Sequence, residues 1–120
     1  MRVERLPRLL LHAEGAVVAL AAVVLYLDAG YAWWLLVVLA LAPDLAAVGF
    51  LAGPRVGTVA YDVAHTYAWP VALAAIGVLA DADAAVQLGL IWATHIGVDR
   101  AIGYGLKYPS GFKDTHLQRV

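Results

Sequence analysis

Residues 31–51 read YAWWLLVVLALAPDLAAVGFL, with Asp44 the one charged side chain in the run. At ~1.5 Å of helical rise per residue this block reaches ~30 Å, the thickness of a bilayer's hydrocarbon core. A barrel strand would instead alternate apolar and polar residues over ~10 positions. The block therefore reads as a membrane-spanning helix.

The same pattern extends in both directions. Upstream, Asp28-Ala29-Gly30 separates it from 9–27, LLLHAEGAVVALAAVVLYL. Downstream, residues 52–57 lead into 58–80, TVAYDVAHTYAWPVALAAIGVLA, and Asp81-Ala82-Asp83 leads into a fourth block, 84–106, apolar in its first half. Connections this short make neighbouring helices antiparallel. The expected fold class is all-α: one membrane domain over 1–120, an integral membrane four-helix bundle with a short C-terminal tail from 107 to 120. Arg2, Arg5 and Arg8 before an apolar run resemble a signal peptide, but His12, Glu14 and the lack of a small-residue cleavage site favour a retained first span.

Composition agrees. Hydrophobic residues make up 63% of the chain and charged ones 14%, against roughly 25% charged in a soluble domain. The basic residues Arg2, Arg5, Arg8, Arg55, Lys107, Lys113 and Arg119 flank one side of the predicted spans, and Asp28, Asp81 and Asp83 the other. The positive-inside rule then puts both termini and the second loop of this multi-pass membrane protein in the cytoplasm. A net charge of −1 argues against nucleic acid as a partner and leaves membrane lipid, or a second copy in a homo-oligomer. With no cysteine there is no disulfide, thiolate metal site or cysteine nucleophile.

Ionisable residues inside spans are costly and mark function. Here they are Glu14, Asp44, Asp62, His65, His95, Asp99 and Arg100. Counted by helical rise, they lie ~6 to ~16 Å from the cytoplasmic ends of the four blocks, in one layer. Asp62 and His65 are i,i+3 and His95 and Asp99 are i,i+4, so each pair shares a helix face. Two imidazoles and two carboxylates so placed suit a divalent metal such as zinc, manganese or iron. Asp62, His65, His95 and Asp99 are the expected ligands, and Asp44 and Glu14 the candidate catalytic groups, as further ligand or general base. His12 points away from Glu14 and is expected at the interface. Arg100 is a candidate charge partner or anion binder. Pro43 and Pro70 are expected to kink their spans. The tail brings Asp114 and His116 to the same mouth, either as a solvated segment or as a lid carrying extra ligands.

Several strings resemble a known family: LAPDL at 41–45, YDVAHTYAWP at 61–70, H-x-x-x-DRAIGYGLKY from His95 to Tyr108 and GFKDTHL at 111–117. They are similar to small bacterial membrane proteins grouped as domain of unknown function 4260, which implies the architecture but no activity. A more distant resemblance is to LexA-regulated inner-membrane metal-dependent hydrolases, which share a Pro-Asp motif, a Thr-His segment and an H-x-x-x-D. Zinc phospholipases C and related nucleases also use an H-x-x-x-D helix. That likeness implies Asp44, His65, His95 and Asp99 as ligands, although the second aspartate of the usual Asp-x-Asp is missing here. The expected function is a membrane-embedded, metal-dependent hydrolase of a lipid or phosphoester at the cytoplasmic leaflet. The alternatives are a metal-free acid–base lipid isomerase or cyclase, a small proton or cation transporter or channel subunit, and bis-histidine haem binding by His65 and His95.

Overall fold

The computed structural model describes residues 3–120, and of residues 111–113 the backbone alone; Arg2 and the Lys113 side chain, both counted in the loop charges, lie outside it. A 3-10 turn, Val3–Arg5, leads into α1 (Leu6–Asp28), with Pro7 in the first turn, where a missing N–H breaks no helical bond. The second block is not one continuous α-helix. It forms α2 (Trp33–Leu39) and then a 3-10 helix, Ala42–Ala52. Pro43 has no N–H to offer the carbonyl of Leu39, and Asp44 N–H bonds instead to Leu41 O at 3.1 Å, three residues back.

The third block breaks as well, into α3 (Pro54–Ala64) and α4 (Ala68–Leu79). Pro70 cannot donate to Thr66, so the helical ladder stops just before it. His65 caps α3 with φ −111°, its N–H bonded to Tyr61 O at 2.9 Å. Both prolines thus kink their spans, and each break falls beside an ionisable residue.

α5 (Asp83–Ile102) ends at Gly103, whose φ of +103° suits a residue without Cβ. It is the axis of the molecule: α1 packs along one side and α4 along another. Small residues set the distance. A Cβ on Gly97 would stand 2.7 Å from both Ala19 N and Gly15 O of α1, and one on Gly89 would stand 2.8 Å from Pro70 O of α4. Such close backbone approach is how helices associate within lipid, where apolar burial alone gives no driving force between them.

Among the described residues, three helical stretches are long and apolar enough to cross a membrane: Val3–Asp28, Trp33–Ala52 and Pro54–Leu79. α5, expected as the fourth span over 84–106, is not among them. Its polar residues Gln87, Thr94, His95, Asp99 and Arg100 lower its hydropathy, and the segment from Ala93 to Gly97 is buried in protein. The outward faces of the other helices are apolar, with Leu51 89% and Leu79 86% exposed.

The chain is not purely α. Beyond Gly103, β1 (Lys107–Tyr108) pairs antiparallel with β2 (Gly111–Thr115), and α6 (His116–Arg119) follows. This tail is neither solvated nor detached. Lys107, Thr115 and Leu117 are buried, β1 packs on α3 and α6 on α1. Arg8 of α1 donates to the carbonyls of Gln118 (2.8 Å) and Val120 (3.2 Å).

Candidate metal centre

Asp44, His65, His95 and Asp99 meet where the 3-10 helix, the end of α3 and the middle of α5 converge. One ligand atom from each lies within 4.8 Å of all the others. The Pro43 kink carries Asp44 inward, and His65 stands at the break that ends α3. His95 and Asp99 are one turn apart on α5, with His95 Nε2 3.2 Å from Asp99 Oδ2.

Backbone carbonyls orient both rings. A carbonyl only accepts, so His65 Nδ1 must carry the hydrogen it gives to Tyr61 O, at 2.7 Å. The Tyr61 ring stacks on His65, with centroids 3.7 Å apart and planes 10° from parallel. His95 is hydrogen-bonded to the backbone carbonyl of Ala40. Metal-bound histidines are held in the same way, by a hydrogen bond at the other ring nitrogen.

In the neutral ring, His65 Nε2 is therefore a bare lone pair. It faces His95 Nε2 at 3.0 Å, Asp44 Oδ1 at 3.1 Å and Asp99 Oδ2 at 3.6 Å. Asp44 Oδ1 is also 3.1 Å from His95 Nε2. Lone pairs and carboxylates crowded in this way repel unless a cation or shared protons sit among them. The distances favour a small cation. Ligands ~2.0–2.1 Å from a tetrahedral centre stand ~3.3 Å from one another; five of the six separations here run from 3.0 to 3.6 Å, and all lie within 4.8 Å.

The other expected site residues lie elsewhere. Asp62 is drawn to the tail, where its Oδ1 accepts Lys107 N–H at 2.6 Å. His65 N–H still closes the last turn of α3 onto Tyr61 O and Asp62 O, but Asp62 bonds to the tail while His65 joins the cluster. Glu14 is exposed on α1, and His12 is tied to Ala101 O at 2.9 Å. Arg100 Nη2 donates to the His65 carbonyl at 2.9 Å, and Nη1 lies 3.1 Å from His116 Nε2, a contact between two N–H groups when His116 Nδ1 is the acceptor. His116 Nδ1 accepts Leu106 N–H at 2.8 Å. Burial, and then Arg100, hold the His116 pKa below its ordinary value. Asp114 pairs with Arg119 at 2.6 Å and bonds to Ser110, which pushes its pKa down to about 2. Among the described residues, neither Asp114 nor His116 joins the four-residue cluster.

A cleft of about 310 Å³ opens onto the cluster, lined by Asp44, Ala47, Tyr61, Asp99, Tyr104 and Lys107. The Asp44 side chain is 48% exposed there and that of Asp99 17%. Lys107 Nζ lies 4.3 Å from the centre of the Tyr61 ring. Burial depresses the Lys107 pKa against the pull of Asp99, Asp44 and Asp62. Sequence reading missed Lys107, because a lysine in a presumed solvated tail signals nothing. Tyr61 could have been found, four residues before His65.

No curated protein and no solved structure matches the chain. One family model matches residues 8–120, a range holding every residue of the cluster and the folded tail. On that match, the chain belongs to the family described as Domain of unknown function (DUF4260).

Proposed function

We propose that this protein is a membrane-embedded, metal-dependent hydrolase that works on a lipid or phosphoester from the cytoplasmic leaflet. The observation that supports the reading is the triangle of His65 Nε2, His95 Nε2 and Asp99 Oδ2, 3.0, 3.2 and 3.6 Å apart, close to three corners of a tetrahedron around one cation. In this reading α5 is a fourth crossing, shielded by the three apolar ones. Both termini lie on the cytoplasmic side, with Arg8, Lys107 and Arg119 along the rim.

His65, His95 and Asp99 would hold the cation beside the cleft, three protein ligands being usual at catalytic sites. Bound there, a divalent cation would supply a lowered water pKa and a polarised ester. Asp44, the most exposed of the four, takes a proton from the attacking water. The water oxygen bonds to phosphorus or carbonyl carbon, and the bond to the alcohol oxygen breaks. The departing alcohol then recovers the proton from Asp44.

The decisive experiment is metal analysis of detergent-purified protein after loading with zinc, manganese or iron(II). One equivalent is expected in the wild type, and none in His95→Ala or Asp99→Ala. A wild type that holds no metal under any loading would sink the reading and leave a metal-free acid–base reaction among the same carboxylates.

A further inference from the structure

A second hollow, of about 340 Å³, is lined in part by Pro43 and Ala64, the chain neighbours of Asp44 and His65. Leu39, Pro43, Leu73, Leu88, Ile91 and Trp92 are among its lining residues, which are apolar throughout except for the Trp92 indole, and its N–H is already given to Ala64 O. Two chain segments pass from groove through cluster to cleft. The second block runs from Leu39 and Pro43 through Asp44 to Ala47, and α5 runs from Leu88 and Ile91 through His95 to Asp99. The third block touches both compartments, with Tyr61 in the cleft and Ala64 and Leu73 in the groove on either side of His65. The cluster is the junction between a polar compartment near the tail and an apolar one deeper in the bundle.

Charge narrows what fits the polar compartment. Asp44, Asp62 and Asp99 stand against Lys107 and Arg100, which leaves one negative charge. A divalent cation turns that into one positive charge, with Lys107 at the cleft wall. A neutral ester would leave this charge uncompensated in a partly desolvated pocket, whereas a singly charged anion neutralises it.

Resting on the metal-dependent reading above, we propose that the substrate is an anionic phosphodiester lipid. Its phosphate sits between the cation and the Lys107 ammonium, and an acyl chain runs along the Leu39–Trp92 groove. Lys107 is then a substrate-binding residue supplied by the tail.

The test uses full-length, zinc-loaded protein in detergent. Binding of short-chain phosphatidylglycerol, diacylglycerol of the same chains, and inorganic phosphate would be compared by calorimetric titration. Phosphatidylglycerol should bind at least about tenfold tighter than either comparator, since a hydrogen bond to a charged group contributes ~1.5–3 kcal/mol. Lys107→Gln should erase the preference over diacylglycerol. Leu73→Trp, which fills the groove and leaves the cleft intact, should erase the preference over inorganic phosphate. Diacylglycerol binding as tightly as phosphatidylglycerol would overturn the anionic headgroup, and inorganic phosphate doing so would overturn the lipid. Protein that holds no zinc overturns the metal-dependent reading and this inference together. Zinc-loaded protein that does not discriminate overturns this inference alone.

Discussion

At the residue scale, the four clustered side chains are not equivalent. His65 and His95 are buried and each is tied by a backbone carbonyl, whereas Asp44 is half exposed on a 3-10 helix. A buried, oriented imidazole suits a permanent ligand; an exposed carboxylate at the cleft suits proton transfer. Asp44→Asn is therefore expected to keep stoichiometric metal while hydrolysis of a probe such as bis(p-nitrophenyl) phosphate falls ~10²–10⁴-fold, the usual worth of a general base. Asp62→Asn should leave metal content unchanged, because its carboxylate serves the Lys107 N–H. Metal lost in both variants, or in neither with activity intact, would refute this division of roles.

At the scale of elements, the tail is the part whose stability answers to pH. His116 accepts Leu106 N–H through Nδ1, a bond that protonation destroys, and the new charge would face Arg100. Its pKa in the docked tail is below the ordinary 6.5. An undocked tail therefore takes up a proton that the docked one refuses. Docking is at full strength above pH 6.5 and weakens as pH falls below it. The Asp114–Arg119 pair has the opposite kind of group and a lower window: its support is lost only as pH falls from 3.8 towards about 2. Protection of the Leu106 amide, taken relative to its intrinsic exchange rate, should fall from pH 6.5 to 5, and His116→Asn, which keeps an acceptor but does not titrate, should flatten that response. An unchanged pH profile in the variant would discard His116 as the cause.

Elements also explain what the sequence could and could not disclose. Helical rise alone put Asp44, His65, His95 and Asp99 at one depth, because that arithmetic survives a kink. Azimuth does not survive one. Asp62 was grouped with His65 by i,i+3 spacing, and their side chains take different partners. The fourth block was expected as a span like the others, yet α5 is polar in its second half because the segment from Ala93 to Gly97 is buried in protein. A two-residue strand such as Lys107–Tyr108 has no period to detect, so the hairpin, and Lys107 with it, left no pattern.

For the whole molecule, the claim that matters most is which side of the membrane the cleft faces. The chain has no cysteine, so single cysteines report topology without background. Asp28→Cys and Asp81→Cys should react with an impermeant maleimide from outside intact spheroplasts. Arg55→Cys should react only after permeabilisation. The reverse labelling pattern would turn the protein over and move the site to the outer leaflet.

Arg100 reaches in two directions, to the carbonyl of His65 and to the ring of His116. One guanidinium thus belongs to both the metal centre and the tail, and their equilibria are linked. If cation binding favours the docked tail by some factor, docking must favour the cation by that same factor. Zinc should accordingly raise hydrogen-exchange protection across residues 103–120. His116→Ala, which loosens the tail, should weaken zinc by a factor matching the protection lost, and equal protection with and without zinc would show the two ends to be independent. With the linkage present, the tail would act as a reporter of occupancy: a surface segment whose order tells whether the buried cluster holds a cation.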